Sequence, residues 1–279
     1  MYDKIEILPS GSVIQHGPFN DRIYLLKASN KNLYDLPDRL KSIATKEGYG
    51  KIFAKLSEME SLPFLSQGFI VEARIPSMYP RDREGIFLAS YPDKNRKVED
   101  DKDLYEKNLR LALEKQKDKP GRLDNKKFRM RPCAEKDIPQ MTAVYKEVFE
   151  TYPFPIHDEL YIKKTMSENV DYFCVEHDNR IVALSSAEKD PENLYAEMTD
   201  FATLPDWRGH GLALHLLRKM ERYIKEQGYN TAFTIARSAS AGMNITFARA
   251  GYDYGGRLKN NTNIAGHIES MNIWHKALN

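Results

Sequence analysis

The stretch with the plainest chemical content runs from residue 196 to residue 213. A β-like run passes through a turn at Pro205 into Arg208-Gly209-His210-Gly211-Leu212-Ala213, where a long helix opens. A strand that feeds a glycine-rich turn and then a helix leaves successive backbone N–H groups pointing outward, and the helix dipole adds partial positive charge there. Glycines 209 and 211 remove Cβ atoms that would keep an anion away from those amides. The expected chemistry is main-chain binding of a phosphate-like anion, with an ordinary tight turn as the alternative. A Walker loop is excluded by the missing Lys-Ser/Thr pair, and a dinucleotide fingerprint by the missing third glycine. Glu197 and Asp200 lie on the strand leading into the turn, and a carboxylate can take a proton from an ammonium. Their spacing puts them on opposite faces of a regular strand, and a bulge would reverse this. Metal chemistry has no comparable signal, because His210 and His215, five apart, do not share a helix face.

Several elements must hold this turn in place. Strands are expected at residues 128–132, 172–176, 180–187 and 196–204, with a helix at 134–150 and a Pro-rich break at Tyr152-Pro153-Phe154-Pro155 before a second short helix. The helix that opens at Leu212 carries Leu216, Leu217, Met220 and Ile224 on the same apolar stripe and stops at Gly228. A strand at 231–236, a helix at 243–250 and strands at 252–258 and 270–274 complete an alternating pattern, which reads as a mixed α/β domain. The charged stretch 115–127, with Pro120-Gly121 at its centre, marks a boundary between an accessory α/β domain at 1–122 and a second domain at 123–279. A helix with Leu104, Leu109, Leu111, Ala112 and Leu113 precedes the boundary, either packing one domain on the other or capping the first. Gly48 and Gly68 in the first domain are 20 apart and flank a strand and a short helix, as Gly228 and Gly251, 23 apart, do in the second. The first domain therefore reads as a degenerate half-repeat, with chance similarity as the alternative.

Composition bounds the rest. With 42 Lys+Arg against 40 Asp+Glu in 279 residues, the net charge of +2 argues against a nucleic-acid partner. No apolar run reaches the ~18–20 residues of a membrane span, and residues 1–6 lack the layout of a signal peptide. The two cysteines, Cys133 and Cys174, read as core residues in a reducing compartment, so the expected location is the cytoplasm.

Arg208-Gly209-His210-Gly211-Leu212-Ala213 resembles the Q/R-x-x-G-x-G/A signature of the GNAT N-acetyltransferase superfamily, and residues 125–279 follow the order of that fold. The resemblance implies a central mixed, largely antiparallel sheet and acetyl-CoA as co-substrate. Its pyrophosphate would lie on the amides of Arg208, Gly209, His210, Gly211, Leu212, Ala213 and Leu214. The acetyl and pantetheine groups would lie along Phe201, Ala202 and Thr203, beside a slot opened by a bulge in that strand. Ser240 stands where an asparagine commonly meets the cofactor, with Asn244 one turn farther on. The superfamily's thiolate-protonating tyrosine would fall at Phe247, which cannot donate a proton. Further strings, among them Thr234-Ile235-Ala236-Arg237, Asn260-Asn261-Thr262-Asn263-Ile264 and Glu269-Ser270-Met271-Asn272-Ile273-Trp274, are similar to the β-lysine N-acetyltransferase family, as is the extra N-terminal domain.

That resemblance implies acetylation of the side-chain amine of β-lysine, giving the osmolyte Nε-acetyl-β-lysine, with a lysine aminomutase as pathway neighbour. Glu197 is the first candidate for the base and Asp200 the second. Asp200 and Glu269 are candidates for holding ammonium groups, and Arg237 or the loop containing Asn263 for the carboxylate. Tyr152 and Phe154 occupy the place of a substrate-covering loop. Another primary amine, such as a polyamine, an aminoglycoside or a protein lysine, is the alternative acceptor, and a non-catalytic acyl-CoA sensor is the alternative class. The first domain is open to three roles: pairing two copies into a homodimer, covering the substrate site, or stabilising the fold.

Overall fold

The computed structural model describes residues 3–118, 121, 123, 124 and 126–278. Lys119, Pro120, Arg122 and Asn125, within the charged stretch read as a boundary, lie outside the described residues, as do Met1, Tyr2 and Asn279. The chain opens with three strands, β1 (Lys4–Ile7), β2 (Val13–Gly17) and β3 (Arg22–Lys27). Helix α1 (Leu36–Glu47), strand β4 (Lys51–Ser57), helix α2 (Glu58–Ser66) and the hairpin β5 (Ile70–Tyr79) and β6 (Arg83–Ser90) follow. Helix α3 (Lys102–Glu114) leads to the charged stretch. Beyond it come β7 (Arg129–Pro132), α4 (Ile138–Val148), α5 (Glu159–Ser167), β8 (Val170–His177), β9 (Arg180–Asp190) and β10 (Tyr195–Thr203). The chain closes with α6 (Leu212–Glu226), β11 (Thr231–Arg237), α7 (Ala241–Arg249), β12 (Asp253–Ile264) and β13 (His267–Ala277).

All these strands join one sheet in the order β1-β2-β3-β4-β6-β5-β12-β13-β11-β10-β9-β8-β7. The order is nearly palindromic. Strand β3 runs parallel to β4, and β10 runs parallel to β11. The remaining neighbours are antiparallel. Element for element, β1 to β6 with α1 and α2 repeat the succession β8 to β13 with α6 and α7; the first half has no counterpart of β7, α4 and α5. The halves meet where β5 and β12 pair at Gly256 and Ala73. A side chain at Gly256 would place its Cβ 2.3 Å from the Glu72 carbonyl oxygen and 2.6 Å from the Ala73 Cα, with φ at +140°. Only glycine permits this approach.

Each half buries an outer face under its own helices. Ile23, Leu25, Ile52, Ala54 and Phe64 form one core with α1 and α2. Met198, Ala196 and Ala232 form another with the stripe of Leu212, Leu216, Leu217, Met220 and Ile224 on α6. The inner faces then close on each other, because Phe53, Met78 and Phe87 of the first half share a core with Tyr195, Phe233 and Ile273 of the second. Helix α3 packs on α7, burying Tyr105, Asn108 and Ala112. Its Asn108 amide donates to the carbonyls of Ser238 and Ala239, each at 3.0 Å. A helix placed in the first domain by sequence position thus packs on the second half, and Leu104 and Leu113 of its expected apolar face remain exposed.

The segment read as an Asn-rich loop is instead part of β12, with an irregularity in pairing between Leu258 and Thr262. It is fastened to the first half. The Lys51 ammonium donates to the Lys259 carbonyl and pairs with Glu72, both at 2.7 Å. Arg22 donates to the Asn261 carbonyl and to Thr262 Oγ1, and the Asn260 amide donates to the carbonyls of Arg96 and Val98.

Candidate active site

Strands β10 and β11 pair only at Tyr195 with Thr231, Ala196 with Ala232 and Glu197 with Phe233. Past Glu197 they separate, although β10 continues along β9 to Thr203 and β11 along β13 to Arg237. The cause is a bulge. Thr199 pairs with Ser186 and Ala202 with Leu184, so Asp200 and Phe201 together oppose Ser185. Asp200 has φ +55°, and Ser185 Oγ donates to the Thr199 carbonyl at 2.6 Å across the distortion. The extra residue bends β10 away from its parallel neighbour and leaves a backbone-lined slot between them.

The turn beyond the slot opens α6 through Gly211, at φ +69°, without a side-chain cap and without an acidic residue in the first helical turn. A Cβ at Gly209 would meet nothing within 4 Å, and one at Gly211 only the His215 ring at 3.8 Å. That space is what an anion needs to reach the helix amides. Leu212 and Leu214 bury their side chains in the core, leaving only their backbone for the turn, while Arg208, Gly209 and His210 are exposed. Phe201 turns away from the slot's inner face onto Phe247, ring centroids 5.5 Å apart, and Ala202 faces the α4 and α5 side. Ser240 caps α7 by accepting from the Met243 amide. The expectation for Asn244 is corrected. It is fully buried, donates to the carbonyls of Arg237 and Ser240, and accepts from Asn272 and the Trp274 indole. Every polar atom of its side chain is used inside the fold.

The bulge also settles the parity of the two acidic residues. Met198 and Phe201 face α6 and α7, whereas Glu197 and Asp200 both turn to the inner face, and Glu197 feels the charge of Asp200. Their surroundings differ. Asp200 accepts from Tyr152 Oη at 2.5 Å and from Ser186 Oγ at 2.5 Å, so both oxygens are occupied. Glu197 lines a chamber of about 1180 Å³ on the inner face. Directly opposite it on β9 stands Glu188, a residue the sequence reading missed. Burial, then the charges of Glu197 and Asp200, push the Glu188 carboxyl well above the ordinary glutamate range. Burial and Asp200 likewise raise Glu197, against the opposing pull of Lys55. Glu188 is ringed by protein yet wetted by the chamber, so its charge is partly screened. Asp200 is raised by burial despite its hydroxyl donors. Two of three crowded carboxyls therefore stay poised near neutrality, as a proton acceptor requires.

The other substrate candidates divide. Tyr152 is buried and held by Asp200, and Phe154 packs beside it in the core under α4 and α5. The Pro-rich segment is thereby pinned over the bulge. Arg237 and Glu269, expected to hold opposite ends of a substrate, hold each other through a two-pronged pair at 2.5 and 3.0 Å. Glu269 is fully buried and also lies 3.1 Å from His267. Asn263 is likewise committed, its backbone N–H to Asn20 Oδ1 and its amide to the Phe19 carbonyl, each at 2.8 Å.

The profile of the acetyltransferase (GNAT) family matches residues 141–252, which span the bulge, the glycine turn and α7. The β-lysine N(6)-acetyltransferase of Methanococcus maripaludis is 39% identical over 95% of this chain and 96% of its own length. The chain belongs to the β-lysine N-acetyltransferase family of GNAT enzymes. The β-lysine N(6)-acetyltransferase of Methanosarcina mazei is 32% identical, covering 88% of this chain and 97% of that protein. N-acetyltransferase YodP of Bacillus subtilis, also 32% identical, covers 96% of both chains. The relatives thus extend over the first half as well as the second. GNAT acetyltransferases use acetyl-CoA, and the uncapped amides of α6 together with the slot fit its pyrophosphate and pantetheine in kind. Phe247, wholly buried between Phe201 and Tyr252, has no proton to give. The described residues contain no helix long and apolar enough to cross a membrane and no group of three His, Cys, Asp or Glu side chains placed to hold a metal ion.

Proposed function

We propose that this chain transfers acetyl from acetyl-CoA to the side-chain amine of β-lysine, with Glu197 as the base. Acetyl-CoA supplies an acyl group activated as a thioester. The amides from Arg208 to Leu214 hold its pyrophosphate, and the free edge of β10 at Phe201, Ala202 and Thr203 aligns the thioester beside Glu197. An alkyl ammonium has a pKa near ~10.4, so at neutral pH it must lose a proton before its nitrogen can attack. Glu197 accepts that proton. Glu188 gives up its proton as an ammonium approaches, and so helps to hold a doubly ammonium-bearing substrate in the chamber. The C–N bond then forms as the C–S bond breaks, the nitrogen gives its second proton to water, and the thiolate, with a solution pKa near ~8.5, leaves without a tyrosine donor. Alignment and carbonyl polarisation carry much of the rate. A lysine aminomutase would supply the acceptor.

The observation that carries this reading is the placing of Glu197 at the last residue of β10 paired with β11, on the wall of the chamber. Purified protein given acetyl-CoA and, in turn, β-lysine, α-lysine, ornithine and spermidine tests it, with thiol release followed continuously. The reading expects kcat/KM for β-lysine to exceed the others by at least tenfold. A preference for spermidine would reassign the acceptor, and acetyl-CoA binding without turnover on any amine would make the protein a sensor.

A further inference from the structure

Lys55 is a cation that the chamber sets beside Glu197, and it comes from the other half of the molecule. It projects from β4, and its ammonium lies 4.8 Å from the ring centroid of Tyr195 and 5.1 Å from that of Phe233. Phe233 is the strand partner of Glu197, so the lysine stands next to the base. Lys55, Tyr79, Glu188, Tyr195 and Glu197 line one continuous cavity, although roughly 140 residues of sequence separate Lys55 from Glu197. Burial disfavours the ammonium, but Tyr195, Tyr24, Tyr79 and Glu197 outweigh that penalty and keep it charged. Tyrosine faces attract a cation without neutralising it, which leaves its charge available to a ligand.

The acceptor carries two ammonium groups and one carboxylate. Glu188 and Glu197, both on the chamber wall, match the ammonium groups, and the carboxylate needs a cation. Arg237 is consumed by Glu269, Lys189 pairs with Asp171 at 2.8 Å, and Lys51 pairs with Glu72. Lys27, Lys31 and Arg83 also line the chamber, but Lys55 is the lysine whose ammonium lies against Phe233, the strand partner of the base. We propose that Lys55 binds the acceptor's carboxylate, so that the first half forms a wall of the substrate site and selects an amino acid over a bare diamine. This inference rests on the proposed acceptor.

The test compares β-lysine with 1,4-pentanediamine, which keeps both amines and the spacing between them but lacks the carboxylate. Wild type, Lys55→Met and Lys55→Arg are assayed with both. Lys55→Met is expected to raise KM for β-lysine at least 30-fold, to lower kcat/KM for the diamine at least tenfold less than for β-lysine, and to leave KM for acetyl-CoA unchanged, which also reports intact folding. Lys55→Arg is expected to recover most of the β-lysine affinity. Equal losses on both substrates, with a shifted pH profile, would mean that Lys55 only tunes Glu197 and would overturn the assignment. An unchanged KM for β-lysine in Lys55→Met would overturn it too. If wild type acetylates the diamine and not β-lysine, the proposed function falls, and this inference with it; a wild-type preference for β-lysine with equal Lys55→Met losses removes only the lysine's role.

Discussion

Glu188 and Glu197 face each other across an antiparallel strand pair, where Cβ atoms stand about 5 Å apart. Two charges about 5.5 Å apart repel by roughly 3 kcal/mol at an effective dielectric near 20. Water in the chamber screens Glu188, so about 1–2 kcal/mol is the realistic share. The sign follows from the raised pKa of both carboxyls. The folded protein keeps protons that the unfolded chain has released, so this stabilisation is full below the unfolded glutamate pKa and is lost as pH rises through the folded values. Glu188→Gln removes one of the two charges and replaces a protonated carboxyl with a near-isostere. In thermal unfolding without ligands, the variant should match wild type at pH 5 and exceed it at pH 9 by about 1–2 kcal/mol, or roughly 2–4 °C in Tm. The same gain at both pH values, or a loss at pH 9, would falsify the proton-sharing pair. Above pH 8, where Glu188 is ionised, the variant should also bind β-lysine more weakly, seen as a raised KM, since an ammonium has lost a carboxylate.

Three further outcomes are expected. Glu197→Gln should lower kcat by about 10²–10⁴ at pH 7.4 while acetyl-CoA affinity holds. The deficit should shrink about tenfold per pH unit toward the amine pKa near ~10.4, because free amine then replaces the missing base; a pH-rate profile parallel to wild type would remove Glu197 from that role. Gly211→Val should raise KM for acetyl-CoA more than tenfold and leave KM for β-lysine alone, since a β-branched residue at φ +69° strains the turn and crowds the amides. An unchanged cofactor KM would make the turn purely structural. Gly256→Ala should cost about 3 kcal/mol or more in chemical denaturation, as its Cβ would collide with Glu72 and Ala73 at the seam between the halves; wild-type stability would mean the seam can open freely.

The helical stripe at 212, 216, 217, 220 and 224 made α6 legible in sequence, because a period near 3.6 has one structural meaning. The glycine turn was legible for the same local reason. Parity along β10 was not: a bulge costs one residue of register, and no residue type in Thr199-Asp200-Phe201 announces it. Glu188 did leave a signal, since a hairpin turning through Pro191, Glu192 and Asn193 pairs 190 with 195 and so 188 with 197. Arg237, Asn263 and Glu269 have the right chemistry for a ligand, and only the fold shows that each already has partners. Asn244 misled in the same way. Lys55 left no local trace, as its place depends on the sheet folding back so that β4 meets β10 and β11 across the inner core. The spacing of Gly48 and Gly68 hinted at the repeated topology, whereas the packing of α3 on α7 could not be read from a helix amphipathic enough to lie on either half.

The most direct measurement is identification of the product. Wild-type protein is incubated with acetyl-CoA and β-lysine, and the product is fragmented by mass spectrometry to locate the acetyl group. A single acetyl on the side-chain nitrogen, formed in step with thiol release and lost in Glu197→Gln, is the expected result. Acetylation at the β-nitrogen, or undiminished product from Glu197→Gln at neutral pH, would contradict the assigned geometry of the chamber and the base.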